Sequence, residues 1–287
     1  MEGVFAQTLA SGLLIGFVYA LIAVGLTMIF GVMEICNFAH GDYLMLAMYF
    51  SFWAFALVGL DPLYSLAPIV LIMFGIGVLT YYVLIRPIIS APMLSQIFVT
   101  FGLLILLRGL AQFFWKVDYR MIPETMLSGN INLEGVYIGI PQIVAAMGAI
   151  VCNAVILLFL KKTRLGMALE AVAEDKEAAR LMGINSDRMF ALAWGIGIAT
   201  VGVAGVLLSS FYYVFPEVGG NFGLIAFVVV ALGGFGSIVG AFIAGIIVGL
   251  VEVLSGFLVD PSLKFLFVLA LYLGVVFVRP QGLMGIK

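Results

Sequence analysis

Apolar residues along this chain neither alternate nor keep to one helical face; they run almost unbroken through 9–30, 43–58, 63–85, 97–114, 138–160, 189–210, 224–251 and 263–278. About 20 apolar residues, at 1.5 Å rise each, carry a helix across the ~30 Å hydrocarbon core of a bilayer. Continuous runs of this length predict spanning helices and exclude a transmembrane barrel, which shows ~10-residue alternating segments. The expected fold is all-α: a single polytopic transmembrane helical bundle over residues 1–287, with about eight apolar segments, some broken or re-entrant. Polar connections fall near Asp61-Pro62 and at 86–96, 115–137, 161–188, 215–220 and 260–262, of which two are long.

Two apolar runs carry internal interruptions. After Phe30, residues 31–42 bring Glu34, Asn37, His40 and Asp42 within nine positions before the apolar pattern resumes. Two readings stay open here: a turn between helices, or a broken helix lining a transport route, since broken segments in both halves of a transporter mark its site. In the run 224–251, about half a span (224–232) meets Gly233-Gly234-Phe235-Gly236-Ser237 before residues 238–251 continue. Non-helical backbone at membrane depth persists only where protein or a water-filled cavity satisfies its amides. A glycine break at mid-depth therefore points to an internal pathway.

Composition narrows the class. The chain is 64% hydrophobic and 10% charged, against roughly 45–50% apolar residues in a soluble domain, which rules out a disordered chain. A net charge of −2 gives no basic field for nucleic acid. Cys36 and Cys152 have apolar neighbours and no metal-ligand spacing, and read as small core residues. No Lys or Arg precedes Arg86, so the basic start of a cleaved signal is missing and the first run is expected to be retained.

Charge also gives orientation. Residues 161–188 hold Lys161, Lys162, Arg164, Lys176, Arg180 and Arg188, six of the thirteen basic residues, and basic loops stay in the cytoplasm. Arg86, Arg279 and Lys287 are expected on that same side. The loop 115–137, with Lys116, Asp118, Arg120, Glu124 and Glu134, falls outside. A single crossing by 224–251 would send Arg279 out, so that run is expected to enter and return.

Within 161–188, Leu165, Ala168, Leu169, Val172, Lys176 and Ala179 recur near i, i+3, i+4, i+7, i+11 and i+14, predicting one short helix with an apolar stripe. Gly183 is placed to end it. Glu177-Ala178-Ala179 followed by Gly183 resembles the Glu-Ala-Ala…Gly loop of permease subunits in ABC importers, whose small alanines let a helix enter a groove on a partner ATPase. The resemblance extends over most of the chain. Residues 25–32 (Gly-Leu-Thr-Met-Ile-Phe-Gly-Val) with Asn37-Phe38-Ala39-His40-Gly41-Asp42, then Thr163-Arg164-Leu165-Gly166, residues 183–188 and residues 232–241 are similar in order to the signatures of branched-chain amino acid ABC permeases, the LivH/LivM family. Length and opening match its shorter type. Val239 stands where that family often has proline.

The resemblance implies a permease forming the translocation path for branched-chain amino acids in a bacterial or archaeal inner membrane. It also implies ABC ATPase subunits, a second, LivM-like permease, and a periplasmic or lipid-anchored substrate-binding protein as partners. Relatives carrying urea or short amides share the signatures, and a stand-alone channel or secondary transporter would also use broken helices. The chain has no Gly-x-x-x-x-Gly-Lys-[Ser/Thr] loop, and Gly195-Ile196-Gly197 lacks the context of a dinucleotide site. No cofactor is implied, and any ATP chemistry is expected in a separate subunit. One histidine and few internal carboxylates give an intramembrane enzyme little support.

An amino acid stripped of water needs fixed dipoles or charges in exchange. Half-helix ends and backbone amides supply them, so Gly233, Gly234, Gly236 and Ser237 are the first pathway candidates. Asn37, His40 and Asp42 come second; Glu177, Ala178, Ala179 and Gly183 are the coupling candidates. Arg108, about 9 Å from the outer end of its run, either snorkels or pairs with a buried acid or substrate. Glu252 reads as facing the water interface. Phe113, Phe114, Trp115, Tyr119, Phe211, Tyr212 and Tyr213 read as an interfacial aromatic belt, and Gly236/Gly240 and Gly245/Gly249 as close-packing pairs.

Overall fold

A computed structural model describes residues 2–123, 125–133 and 136–285. Glu124, Glu134 and Lys287, used above for orientation, lie outside the described residues. Among the described residues, eight helical stretches are long and apolar enough to cross a membrane. They are α1 (Glu2–Met33), α2 (His40–Val58), α3 (Pro62–Thr80, prolonged by a π turn and a 3-10 turn to Ile88), α4 (Met93–Trp115), α5 (Ile140–Lys162), then past a short helical pair, α8 (Ser186–Leu208), α10 (Ile238–Leu258) and α11 (Lys264–Val278). The short pair is α6 (Arg164–Glu174) and α7 (Lys176–Leu181); α9 (Val218–Gly233) completes the set. The fold is thus a polytopic helical bundle, with one small antiparallel hairpin, β1 (Asn130–Leu133) and β2 (Val136–Gly139), in the long connection after α4.

The run 224–251 resolves into two helices. α9 has 16 residues rather than half a span, because Val218–Gly223 is helical despite three glycines. These glycines serve packing: a Cβ on Gly219 would lie 2.8 Å from the Gly41 carbonyl oxygen, and one on Gly41 only 2.7 Å from the Gly223 nitrogen. α10 then runs antiparallel along α1. A Cβ on Gly245 would meet the Cα and nitrogen of Ala20 at 2.5 Å, and one on Gly16 the Cα of Ile246 at 2.9 Å. Small residues let these backbones approach, as they do in membrane helix pairs generally.

Both ends of the bundle are identifiable. α5 and α8 each join the end bearing α6 and α7 to the opposite end, where the β-hairpin lies. Arg86 meets Asp187 at 3.1 Å beside α7, so it sits at the α6–α7 end together with Lys161 and Lys162. Arg279, at the end of α11, lies there too, since the following residues pack against the end of α9. At the opposite end Phe113, Phe114, Tyr119 and Tyr213 are exposed. Trp115 is drawn inward to stack on Tyr49 at 4.2 Å, and Arg120 lies over the Phe52 and Trp53 rings.

Candidate functional site

The interruption after α1 is a return, not a turn. Glu34 takes φ +57°, a left-handed conformation that ends α1. Residues 34–39 are non-helical and run back beside the helix they left. His40, at the start of α2, places its Nε2 2.9 Å from the carbonyl oxygen of Ile22. Ile22 is eleven residues before Met33, so α2 begins roughly 16 Å above the end of α1. The returning strand is held by the Thr100 hydroxyl, which donates to the Cys36 carbonyl at 3.0 Å, and by Phe38 stacked on Phe227 at 4.9 Å.

Asn37, His40 and Asp42 are all brought into this buried layer. Asp42 in the first turn of α2 is 1% exposed and accepts from Arg108 of α4 at 3.1 Å, where Arg108 is 27% exposed. Of the alternatives for Arg108, the structure shows pairing to a buried acid. The two amide atoms of Asn37 and the Nδ1 of His40 are buried and meet no hydrogen-bond partner.

Gly233, Gly234, Gly236 and Ser237 form the tight link between α9 and α10. Gly234 and Gly236 take φ of +102° and +82°, which glycine adopts without the Cβ penalty. Ser237 caps α10, accepting from the Gly240 N–H at 3.1 Å. The C-terminal segment covers the link: the N–H groups of Leu283 and Met284 donate to the carbonyls of Leu232 and Gly233 at 2.8 and 3.0 Å. The two interruptions touch, with Phe30 and Phe235 rings 4.6 Å apart and Gly31 against Gly236. Since α1 ends here, this link lies toward the α6–α7 end rather than at mid-depth, and neither cavity described below is lined by it.

The α6–α7 element is two helices, not one. Asp175 breaks the stripe by capping α7, its carboxylate accepting from the Glu177 and Ala178 N–H groups at 2.8 and 2.9 Å. Thr163 caps α6 through the Gly166 N–H, and a Cβ on Gly166 would sit 2.5 Å from the Leu160 Cα, which accounts for both ends of Thr163-Arg164-Leu165-Gly166. α7 closes in a Schellman motif: Gly183 N–H donates to Arg180, Ile184 N–H to Ala179, and Gly183 takes φ +84°. Asn185 then caps α8. Leu169, Val172 and Ala179 face inward; Glu177 and Ala178 are exposed. Leu181 and Met182 at the tip are 89% and 82% exposed. A second cavity, about 490 Å³, lies beside this tip and includes Arg86, Lys176, Arg180 and Asp187.

The sequence reading missed the larger cavity, about 540 Å³, near the opposite end. Glu252 is not at the water interface: it is 3% exposed, accepts from the Tyr19 hydroxyl at 2.6 Å and pairs with Lys264 at 2.7 Å. Gln142, Asn221, Phe211 and Tyr212 are among the polar and aromatic residues of its lining, so two members of the expected belt line a cavity instead. The available signal was Glu252 and Lys264 flanking a link of only five residues between α10 and α11, which folds one helix end onto the other.

Comparison with known proteins follows the same outline. The family described as "Branched-chain amino acid transport system / permease component" matches residues 8–276. The chain is 34% identical to the high-affinity branched-chain amino acid transport system permease protein BraD of Pseudomonas aeruginosa, over 98% of this chain and 96% of that protein. It is 33% identical to LivH of Escherichia coli K12 over the same shares, and 27% identical to a probable LivH of Methanocaldococcus jannaschii over 93% and 88%. Among solved structures, PsaBC from Streptococcus pneumoniae in complex with Fab superposes with a TM-score of 0.52 at 14% identity, over 96% of this chain and 92% of that one, a likeness of fold alone. The continuous apolar runs, the returning strand after α1 and the capped short hairpin all belong to a chain that is a member of the branched-chain amino acid transport permease family.

Proposed function

We propose that this chain is the membrane-spanning subunit of an ATP-driven importer of branched-chain amino acids, seated in a bacterial or archaeal inner membrane with the α6–α7 end in the cytoplasm. The observation carrying this reading is the form of that end. A solvated loop needs no exposed Leu181-Met182 tip on a rigid, capped turn beside exposed Glu177 and Ala178. Exposed apolar residues rimmed by charge suit a protein-docking surface, and the occupant proposed is a separate ABC ATPase subunit. The resemblance to BraD and LivH supports the substrate class and, with it, a second LivM-like permease and a substrate-binding protein as further partners.

Mechanically, α6 continues from α5 and α7 leads into α8, so force applied at the tip reaches two spanning helices with little slack. In this proposal Asn37, His40 and Asp42, with the Gly233, Gly234, Gly236 and Ser237 link, form the layer that parts to release substrate inward. ATP-driven closure of the ATPases shifts the helices as rigid bodies and alternates access.

Isolated chain is expected to bind and hydrolyse no ATP until the ATPase is added. Ala178→Trp or Gly183→Val is expected to abolish copurification of the ATPase while leaving the bundle folded by circular dichroism. Retained, coupled ATPase with both variants contradicts the docking role.

A further inference from the structure

The larger cavity holds an ion pair that both identified helix breaks leave unused. Glu252 is buried on α10, 15 residues into a 21-residue helix, and its carboxylate is fully engaged by Tyr19 of α1 and Lys264 of α11. Lys264 is different: its side chain is 39% exposed, at the first position of α11, where a long flexible stem can swing without moving the helix. Gln142 and Asn221 line the same space, and Leu14, Ile15, Ile225 and Val253 give it an apolar wall. At about 540 Å³ it is within the range of small-molecule sites.

We propose that this cavity is a binding site for a zwitterionic α-amino acid with an aliphatic side chain, held by exchange of the Glu252–Lys264 ion pair. The ligand's ammonium takes the place of the Lys264 ammonium at Glu252 Oε1, while Lys264 turns to the ligand's carboxylate, assisted by the Gln142 or Asn221 amide. One ion pair becomes two and the net charge of the cavity stays zero. A ligand bearing only one of the two charges leaves an uncompensated charge in a largely apolar space, which is the costly case. Tyr19 keeps its hydrogen bond to the other oxygen of Glu252 and fixes the carboxylate. The aliphatic side chain lies against the apolar wall.

The identity of the ligand rests on the importer reading above; the zwitterion requirement rests on the cavity alone. The test measures tritiated leucine binding to the chain in lipid nanodiscs and, separately, ATP-driven leucine uptake into proteoliposomes supplied with the substrate-binding protein, with its ATPase and second permease present in both. Leucine is expected to bind, with 4-methylpentanoate (no ammonium) and leucinamide (no carboxylate) each competing at least ~10-fold more weakly. Glu252→Gln with Lys264→Met removes both charges, which is often close to neutral for folding, and is expected to keep the thermal melting of the wild-type chain while lowering leucine affinity at least ~10-fold; Lys264→Arg is expected to restore most of the binding lost in Lys264→Met. Wild-type leucine affinity in the neutral double variant, or equal competition by the two single-charge analogues, overturns the site. Normal uptake without leucine binding to this cavity overturns it too, and leaves the permease reading standing. Binding without uptake of any branched-chain amino acid keeps the site and overturns the permease reading.

Discussion

Asp42 and Arg108 show what a single residue costs in this environment. The carboxylate is 1% exposed and its one cationic partner comes from another helix. Removing one member of a buried pair strands the other, at about 3–5 kcal/mol, whereas removing both is often close to neutral. Arg108→Leu is therefore expected to lower thermal stability in detergent sharply, and Asp42→Asn in the same chain to recover most of the loss; additive losses contradict the pairing. Gly183 poses a backbone question instead. Nothing lies within 4 Å of a Cβ added there, so only its φ of +84° opposes a side chain, a penalty of about 1–2 kcal/mol for a residue other than Gly, Asn or Asp. Asp42 and Gly183 could be singled out from the sequence because both interrupt apolar or periodic runs. The Arg108 partner could not, because 66 residues separate the pair and an arginine near a helix end can also snorkel to the interface.

At the scale of elements, the apolar runs were legible almost to their ends, since the bilayer demands continuous hydrophobicity and the chain supplies it. Two things were not. The start of α9 reads as a loop in Val-Gly-Gly-Asn-Phe-Gly, because glycine is a weak helix former, yet the close approach of Gly41 makes small residues necessary there. The α9–α10 link showed as a glycine run, but its cover by residues 281–285 left no compositional trace, being made of backbone hydrogen bonds between distant segments. Truncating the chain after Pro280 removes the donors to the Leu232 and Gly233 carbonyls. Hydrogen exchange at the end of α9 and the start of α10 is expected to accelerate and the melting temperature to fall; unchanged protection there would mean that the tail only rests on the link. The α1–α10 seam gives the complementary case, where Gly245→Leu forces the backbones apart, at about 1–3 kcal/mol for overpacking.

On the scale of the molecule, the two ends are built for different tasks. One end gathers Lys161, Lys162, Arg164, Arg180 and Arg188 around a rigid tip with exposed Leu181 and Met182. Near the other is the cavity lined by α1, α5, α9, α10, α11 and the segment after α8. Between them lies the buried layer of the returning strand, with Asn37 and His40. In the proposed reading these three parts serve as a place to receive substrate, a seal, and a lever. If the lever is cytoplasmic, a cysteine at Glu170 in a chain lacking Cys36 and Cys152 is labelled by an impermeant maleimide only in inside-out vesicles; labelling in intact cells reverses the orientation. The most direct test of the whole account is leucine uptake into proteoliposomes containing this chain with its ATPase and second permease. With binding protein present, uptake is expected to need ATP and to vanish with Ala178→Trp, and the chain reconstituted alone is expected to move none. Leucine flux through the chain alone, with no ATPase present, would contradict it.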